Sequence, residues 1–152
     1  MIIGVISDTH GVMRPEALAA LQGSDLILHA GDVGKPEVLA PLRAIAPTVA
    51  VRGNVDHGGW ADALPETDVI EAAGIRLYML HVLAALDLDA KAAGFAAVIS
   101  GHTHRASVEI KDGVLYLNPG SAGPRRFSLP ATVARLRVLD GQLSPEIVDL
   151  RI

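Results

Sequence analysis

The chain has 152 residues, half of them hydrophobic and 20% charged, which is enough for one domain with a real core and too apolar for disorder. A net charge of −4 and only 3% aromatic residues count against long nucleic acids, which need a basic surface or stacking platforms. Cysteine is absent, so disulfides and thiolate ligands are excluded and any metal must be held by His, Asp, Asn or Glu. In chain order, Ile2 to Ser7 is a short β-branched run that fits a strand buried on both faces, ending in Asp8-Thr9-His10-Gly11. Pro15 to Leu21 reads as a helix, with Pro in its first turn and Gly23 beyond its end. Leu26 to His29 is a second strand that leads to Gly31-Asp32. Pro36 to Ile45 is helical, and Thr48 to Val51 is a third strand ending at Gly53-Asn54. Strand, helix, strand, helix, strand is the pattern of a parallel sheet.

After Gly58-Gly59-Trp60 the rhythm changes. Asp68 to Ala72 and Ile75 to Leu80 form a hairpin over Ala73-Gly74, and the second run ends at His81. The pattern predicts a helix over 86–93, then a strand, Ala96 to Ser100, that leads into Gly101-His102-Thr103-His104. Val108 to Ile110 pairs with Val114 to Leu117, and Ala131 to Leu139 pairs with Leu143 to Leu150 across Asp140-Gly141. Two face-to-face mixed sheets with helices outside are expected, in one domain over 1–152. The N-terminus lacks a signal-peptide pattern and no run is long enough to span a membrane, so the expected compartment is the cytoplasm.

Five runs thus end in metal-capable groups: Asp8 with His10, Asp32, Asn54, His81, and His102 with His104. In open α/β sheets the carboxyl ends of strands share an edge, so these seven side chains can converge. Asp8 and His10, like His102 and His104, are two apart, and each pair can offer both members to one ion. The two oxygens of Asp32 can bridge two ions. A cluster of this kind suits two divalent cations and phosphoryl chemistry: a water shared by them loses a proton near neutral pH and attacks phosphorus in line.

Asp8-Thr9-His10, Gly31-Asp32, Gly53-Asn54, His81 and Gly101-His102-Thr103-His104 resemble, in order and spacing, the motif set of the calcineurin-like metallophosphoesterases. Together with the short length, Asn118-Pro119-Gly120-Ser121 resembles the small bacterial and archaeal phosphodiesterases related to the retromer subunit of that superfamily. The resemblance implies a four-layer α/β/β/α sandwich of two mixed β-sheets with helices outside. It also implies that Asp8, His10, Asp32 and His104 hold one metal and that Asp32, Asn54, His81 and His102 hold the other. Asp32, Asn54 and His102 are the catalytic candidates. Manganese heads the list of metals; Fe, Co, Ni and Zn suit the same O and N donors.

Two positions depart from the pattern. Larger phosphatases of the family carry a His directly after Gly-Asn, where this chain has Val55. Acid catalysis is then weak, with His57 as the candidate substitute. Small members read His-Gly-His where this chain reads His81-Val82-Leu83-Ala84, which puts the usual substrate preference in doubt. Ser121 and Arg125, with Asn118 and Arg126 nearby, form a weaker candidate cluster for gripping a phosphate. Taken singly, Asp8, Asp32 and Asn54 fit ordinary turns or helix caps, and His29 fits a packed or supporting histidine that is not a ligand. The joint pattern favours a metal-dependent phosphodiesterase acting on a small or nucleotide-like phosphate ester. A phosphomonoesterase, or a catalytically weak binding scaffold of the same fold, is the alternative. Self-association is left open.

Overall fold

The computed structural model describes residues 1–152. Its first sheet contains β1 (Ile2–Ile6), β2 (Leu26–His29), β3 (Thr48–Ala50), β9 (Thr132–Leu139) and β10 (Gln142–Asp149), in the order β10-β9-β1-β2-β3. The second contains β4 (Thr67–Ala72), β5 (Ile75–Leu80), β6 (Ala97–Ile99), β7 (Ser107–Lys111) and β8 (Val114–Asn118), in the order β4-β5-β6-β8-β7. Within the sheets β1, β2 and β3 run parallel, as do β5, β6 and β8, and antiparallel strands complete each sheet.

Alternation along the strands builds the layers, because side chains two apart share a face. Ile3, Val5 and Leu28 point inward from the first sheet and meet Leu77, Met79, Ile99 and Leu117 of the second. Ile6 and Ile27 point outward, under α1 (Pro15–Leu21) and α2 (Leu39–Ile45), where Leu21, Leu39 and Leu42 cover them. Full burial of one such aliphatic side chain stabilises the fold by about 1.5–3 kcal/mol. The segment read as one helix from Pro36 to Ile45 divides into a 3-10 turn, Pro36–Val38, and α2. Pro41 falls in the first turn of α2, where no amide hydrogen is needed from it.

One predicted helix is absent. Residues 86–93 form turns after a 3-10 turn at Leu83–Ala85, and Gly59–Asp62 forms a short α3 that the sequence pattern did not suggest. A single helical turn forms within 86–93: the Asp89 carboxylate caps it by accepting from the Ala92 amide at 3.1 Å, its carbonyl accepts from the Ala93 amide at 2.9 Å, and Gly94, at φ 81°, ends it. Leu86 and Leu88, two apart, both pack on the outer face of the second sheet beside Tyr78, Leu80 and Phe95. That spacing suits an extended segment. The outer layer here is therefore made of turns, while α1 and α2 cover the opposite face. No helix is long and apolar enough to cross a membrane.

Candidate metal centre

All seven candidate ligands follow the carboxyl ends of the parallel strands: β1 leads to Asp8 and His10, β2 to Asp32, β3 to Asn54, β5 to His81, and β6 to His102 and His104. Five of them occupy the left-handed backbone region, with φ of 55° at Asp8, 48° at His10, 55° at Asp32, 76° at His102 and 62° at His104. Each such residue costs about 1 kcal/mol or more, and such strain gathers at functional sites. Close packing of the turns holds them there. A Cβ on Gly53 would overlap the Asp32 backbone, and one on Gly101 would overlap Ser7 and lie 2.7 Å from Asp8 Oδ2.

The two carboxylates are presented in the same manner. Asp8 is fully buried, and its Oδ2 accepts from the Ser7 hydroxyl at 2.6 Å and the His102 amide at 3.0 Å. Its Oδ1 has no hydrogen-bond partner and faces His104 Nε2 at 3.3 Å, His10 Nε2 at 3.7 Å and His81 Nε2 at 3.8 Å. Asp32 Oδ1 accepts from the Val55 amide at 3.0 Å, while Oδ2 faces His81 Nε2 at 3.2 Å and His10 Nε2 at 3.6 Å. One oxygen of each is tethered, and the other is aimed at imidazoles.

The His81 ring is oriented from behind, since Nδ1 donates to the Ala30 carbonyl at 2.7 Å. In the neutral ring this leaves the Nε2 lone pair facing two carboxylate oxygens, an arrangement that requires a proton or a cation between them. Burial pulls the His81 pKa down, but contact with Asp32, the Ala30 carbonyl and the charge of Asp8 outweigh it and raise the pKa. Burial acts on Asp32 in the opposite sense; His81 and the Val55 amide overcome it and hold its pKa at about 2. His104 is shifted down by burial, aided by Arg126 and His10 against Asp8 and Asp32. The donor atoms gather into two triads, Asp8-His10-His104 and Asp32-His81-His102, each within 4.8 Å. Asn54 Oδ1 joins the second at 3.1 Å from His102 Nδ1.

The sequence profile described as the calcineurin-like phosphoesterase superfamily domain matches residues 1–141. The chain belongs to that superfamily. A probable metallophosphoesterase of Methanothermobacter thermautotrophicus is 34% identical over 163 residues, covering 97% of this chain and 92% of its own. Among solved structures, an archaeal phosphodiesterase superposes with a TM-score of 0.80 at 23% identity, over 97% of this chain and all of its own. The Entamoeba histolytica protein Vps29, complexed with zinc, superposes with a TM-score of 0.75 at 23% identity, over 99% of this chain and all of its own.

The second candidate cluster of this metallophosphoesterase is arranged differently from the expectation. Ser121 is buried and donates to the Asp8 carbonyl at 2.9 Å, so its hydroxyl braces the backbone of a candidate ligand. Arg125 donates to the carbonyls of Leu129 and Ile152, both at 3.2 Å. Neither side chain is thereby directed at a phosphate. It is the neighbouring Arg126 whose charge reaches His104. His57 is exposed in the turn after Asp56. Asn118 braces the His102 loop, donating to the Gly101 carbonyl at 2.9 Å and the Thr103 hydroxyl at 3.2 Å.

Asp56 carries a role that sequence reasoning passed over. It is buried and accepts from the amides of Gly53, Gly34 and Val33 at 2.8, 2.9 and 3.2 Å, tying the Asp32 turn to the Asn54 turn. Its carboxylate reaches back to an amide three residues earlier, as the acid of a capping box does. His29, expected as a supporting histidine, is fully buried with both nitrogens engaged. Nδ1 accepts from the Gly31 amide at 3.2 Å, so in the neutral ring Nε2 donates to Thr9 Oγ1 at 3.0 Å, and Thr9 donates to the Val33 carbonyl at 2.8 Å.

Proposed function

We propose that this metallophosphoesterase is a phosphodiesterase that uses two divalent cations on small or nucleotide-like phosphate esters. One observation carries the reading: Asp8 Oδ1 and His81 Nε2 are buried without a hydrogen-bond partner where two triads of metal-capable side chains adjoin. A buried polar atom left unpartnered costs about 1–3 kcal/mol, so a site holding two that face each other is built to be completed by something else. Carboxylate oxygens and imidazole nitrogens suit a divalent cation, Mn²⁺ first and Fe²⁺, Co²⁺, Ni²⁺ or Zn²⁺ equally by donor type.

In this reading Asp8, His10 and His104 hold one cation, Asn54, His81 and His102 hold the other, and Asp32 serves both. Bound there, such cations polarise the ester and supply a nucleophilic water near neutral pH. The chain's contribution is fixed geometry. Ser7 and the His102 amide lock Asp8, the Val55 amide locks Asp32, and the Ala30 carbonyl locks the His81 tautomer. Asn54 and His102 are the exposed members of the set and form the side from which an ester arrives.

Val55, 39% exposed beside Asn54, offers no proton to a departing alkoxide. Aryl diesters should therefore be cleaved at least about 100-fold faster than alkyl diesters, the range contributed by a positioned general acid. Equal rates for matched aryl and alkyl esters would reject this account of the leaving group. The central test is metal analysis of the purified protein joined to a panel of mono- and diesters. Two bound cations and hydrolysis of bis(p-nitrophenyl) phosphate are expected. Absence of both, even after Mn²⁺ is supplied, would favour a scaffold. His102→Ala and His104→Ala should each retain one cation per chain and lose a different one. Retention of both by either variant would contradict the division of ligands.

A further inference from the structure

We propose that the cleft beside Asn54 and His81 receives the second substituent of a phosphodiester, and that it selects an uncharged, nucleoside-sized group over one bearing further phosphate. The inference rests on the phosphodiesterase reading above and extends it to substrate class. The cleft encloses about 430 Å³ and reaches from the second triad to the turns after β5. That size falls within the roughly 300–1,000 Å³ of small-molecule sites.

The walls divide by chemistry. Leu80, Val82 and Ala85 give an apolar side on which the face of a ring can lie, and Tyr78 closes it from the sheet. The lining also carries Arg52, Glu66 and Asp87. Arg52 is the one cation of this lining, and it is already occupied: Nη2 donates to Glu66 Oε1 at 3.0 Å, and Nη1 lies 3.8 Å from Asp62 Oδ1. Asp87 adds a carboxylate with no cation of the lining left to pair with it. A second phosphate would meet this surplus negative charge, whereas the imide N–H or hydroxyls of a nucleoside find acceptors. Where the small members of the superfamily are expected to read His-Gly-His, this chain has Val82 and Leu83. Of these two, Val82 adds an apolar side chain to the lining of the cleft.

Three p-nitrophenyl diesters separate the outcomes: methyl p-nitrophenyl phosphate, the p-nitrophenyl ester of thymidine 5′-phosphate, and the same ester carrying a 3′-phosphate. The thymidine ester should exceed the methyl ester in kcat/KM by at least about 10-fold, and the added 3′-phosphate should remove that gain. Ala85→Trp, at an exposed position, should lower the thymidine-to-methyl ratio by at least about 10-fold. Asp87→Lys, also exposed, should restore the phosphorylated ester relative to the plain one. Binding of free thymidine to EDTA-treated protein, followed by amide NMR shifts, gives a readout without turnover. Those shifts should fall on Tyr78 and Val82, weaken in Ala85→Trp, and diminish when thymidine 3′-phosphate replaces thymidine.

Equal use of all three esters, a ratio unmoved by Ala85→Trp, or equal binding of the two free ligands would overturn the proposal. Failure of the loaded protein to cleave even the methyl ester would sink the phosphodiesterase reading, while the thymidine titration would still decide what the cleft prefers.

Discussion

Asp32→Ala should purify with neither cation and cleave bis(p-nitrophenyl) phosphate at least about 10³-fold more slowly than the parent chain, the scale on which loss of one charge-stabilising group is felt. The free oxygen of Asp32, like that of Asp8, faces an imidazole of each triad, His10 at 3.6 Å and His81 at 3.2 Å, and Asp32 is the nearer of the two carboxylates to His81. Removing it takes a negative ligand from both positions at once and leaves His10 and His81 with less charge to balance a dication. Substitution of Asn54 acts on one position alone and should leave the other cation bound. Asp32→Asn tests charge apart from shape, because its amide oxygen can still accept from the Val55 amide. It should fold like the parent and share most of the loss in metal content. An Asp32→Ala protein that holds two cations, or keeps activity within about 10-fold, would reject the shared role.

The second large effect concerns stability in mild acid. Burial lowers the pKa of His29 from 6.5 to about 4, overcoming the opposing charges of Asp56 and Asp32, with His81 and His10 adding to the depression. Folded His29 stays neutral where the unfolded residue takes up a proton, so the unfolded state binds more protons between these values. The stabilisation is complete above pH 6.5 and drains away as pH falls toward 4, by about 3 kcal/mol in total. Its structural origin is the relay through Thr9 to the Val33 carbonyl, with the Gly31 amide on the other nitrogen. A second proton on the ring would face the Gly31 N–H. Urea unfolding of chelator-treated protein at pH 7.5 and pH 5 should show the parent losing about 2 kcal/mol more than His29→Gln. Parallel losses in the two proteins would assign the acid sensitivity to other groups.

Residues that carry a period were readable before the fold was known. Ile3, Val5, Leu77 and Met79 announced strands with one face toward a shared core, and the spacing of Asp8, Asp32, Asn54, His81 and His102 along successive strands announced a common edge. Both follow from chain geometry that acts over a few residues. The segment 86–93 has helical periodicity, but Asp89 caps and Gly94 ends a single turn at its far end, which is too short to hold as a helix. Ser121 and Arg125 were assigned by residue type. Their partners, Asp8 and Ile152, lie 113 and 27 residues away, and no local pattern encodes such pairs. Asp56 was overlooked for a different reason: among neighbours so rich in chemistry, a carboxylate that only accepts from backbone amides gives no signal beyond its turn.

The turns that replace a helix over the second sheet give this chain a division of labour. The proposed metal ligands are fixed by strand ends and a buried web of hydrogen bonds, where nearly any change is felt. The wall proposed to meet the organic part of an ester lies in the turns between β5 and β6, where Val82, Ala85 and Asp87 are half-buried or exposed. Selection, or a protein engineer, can therefore exchange that segment to retune which ester is accepted and leave the hydrolytic apparatus intact.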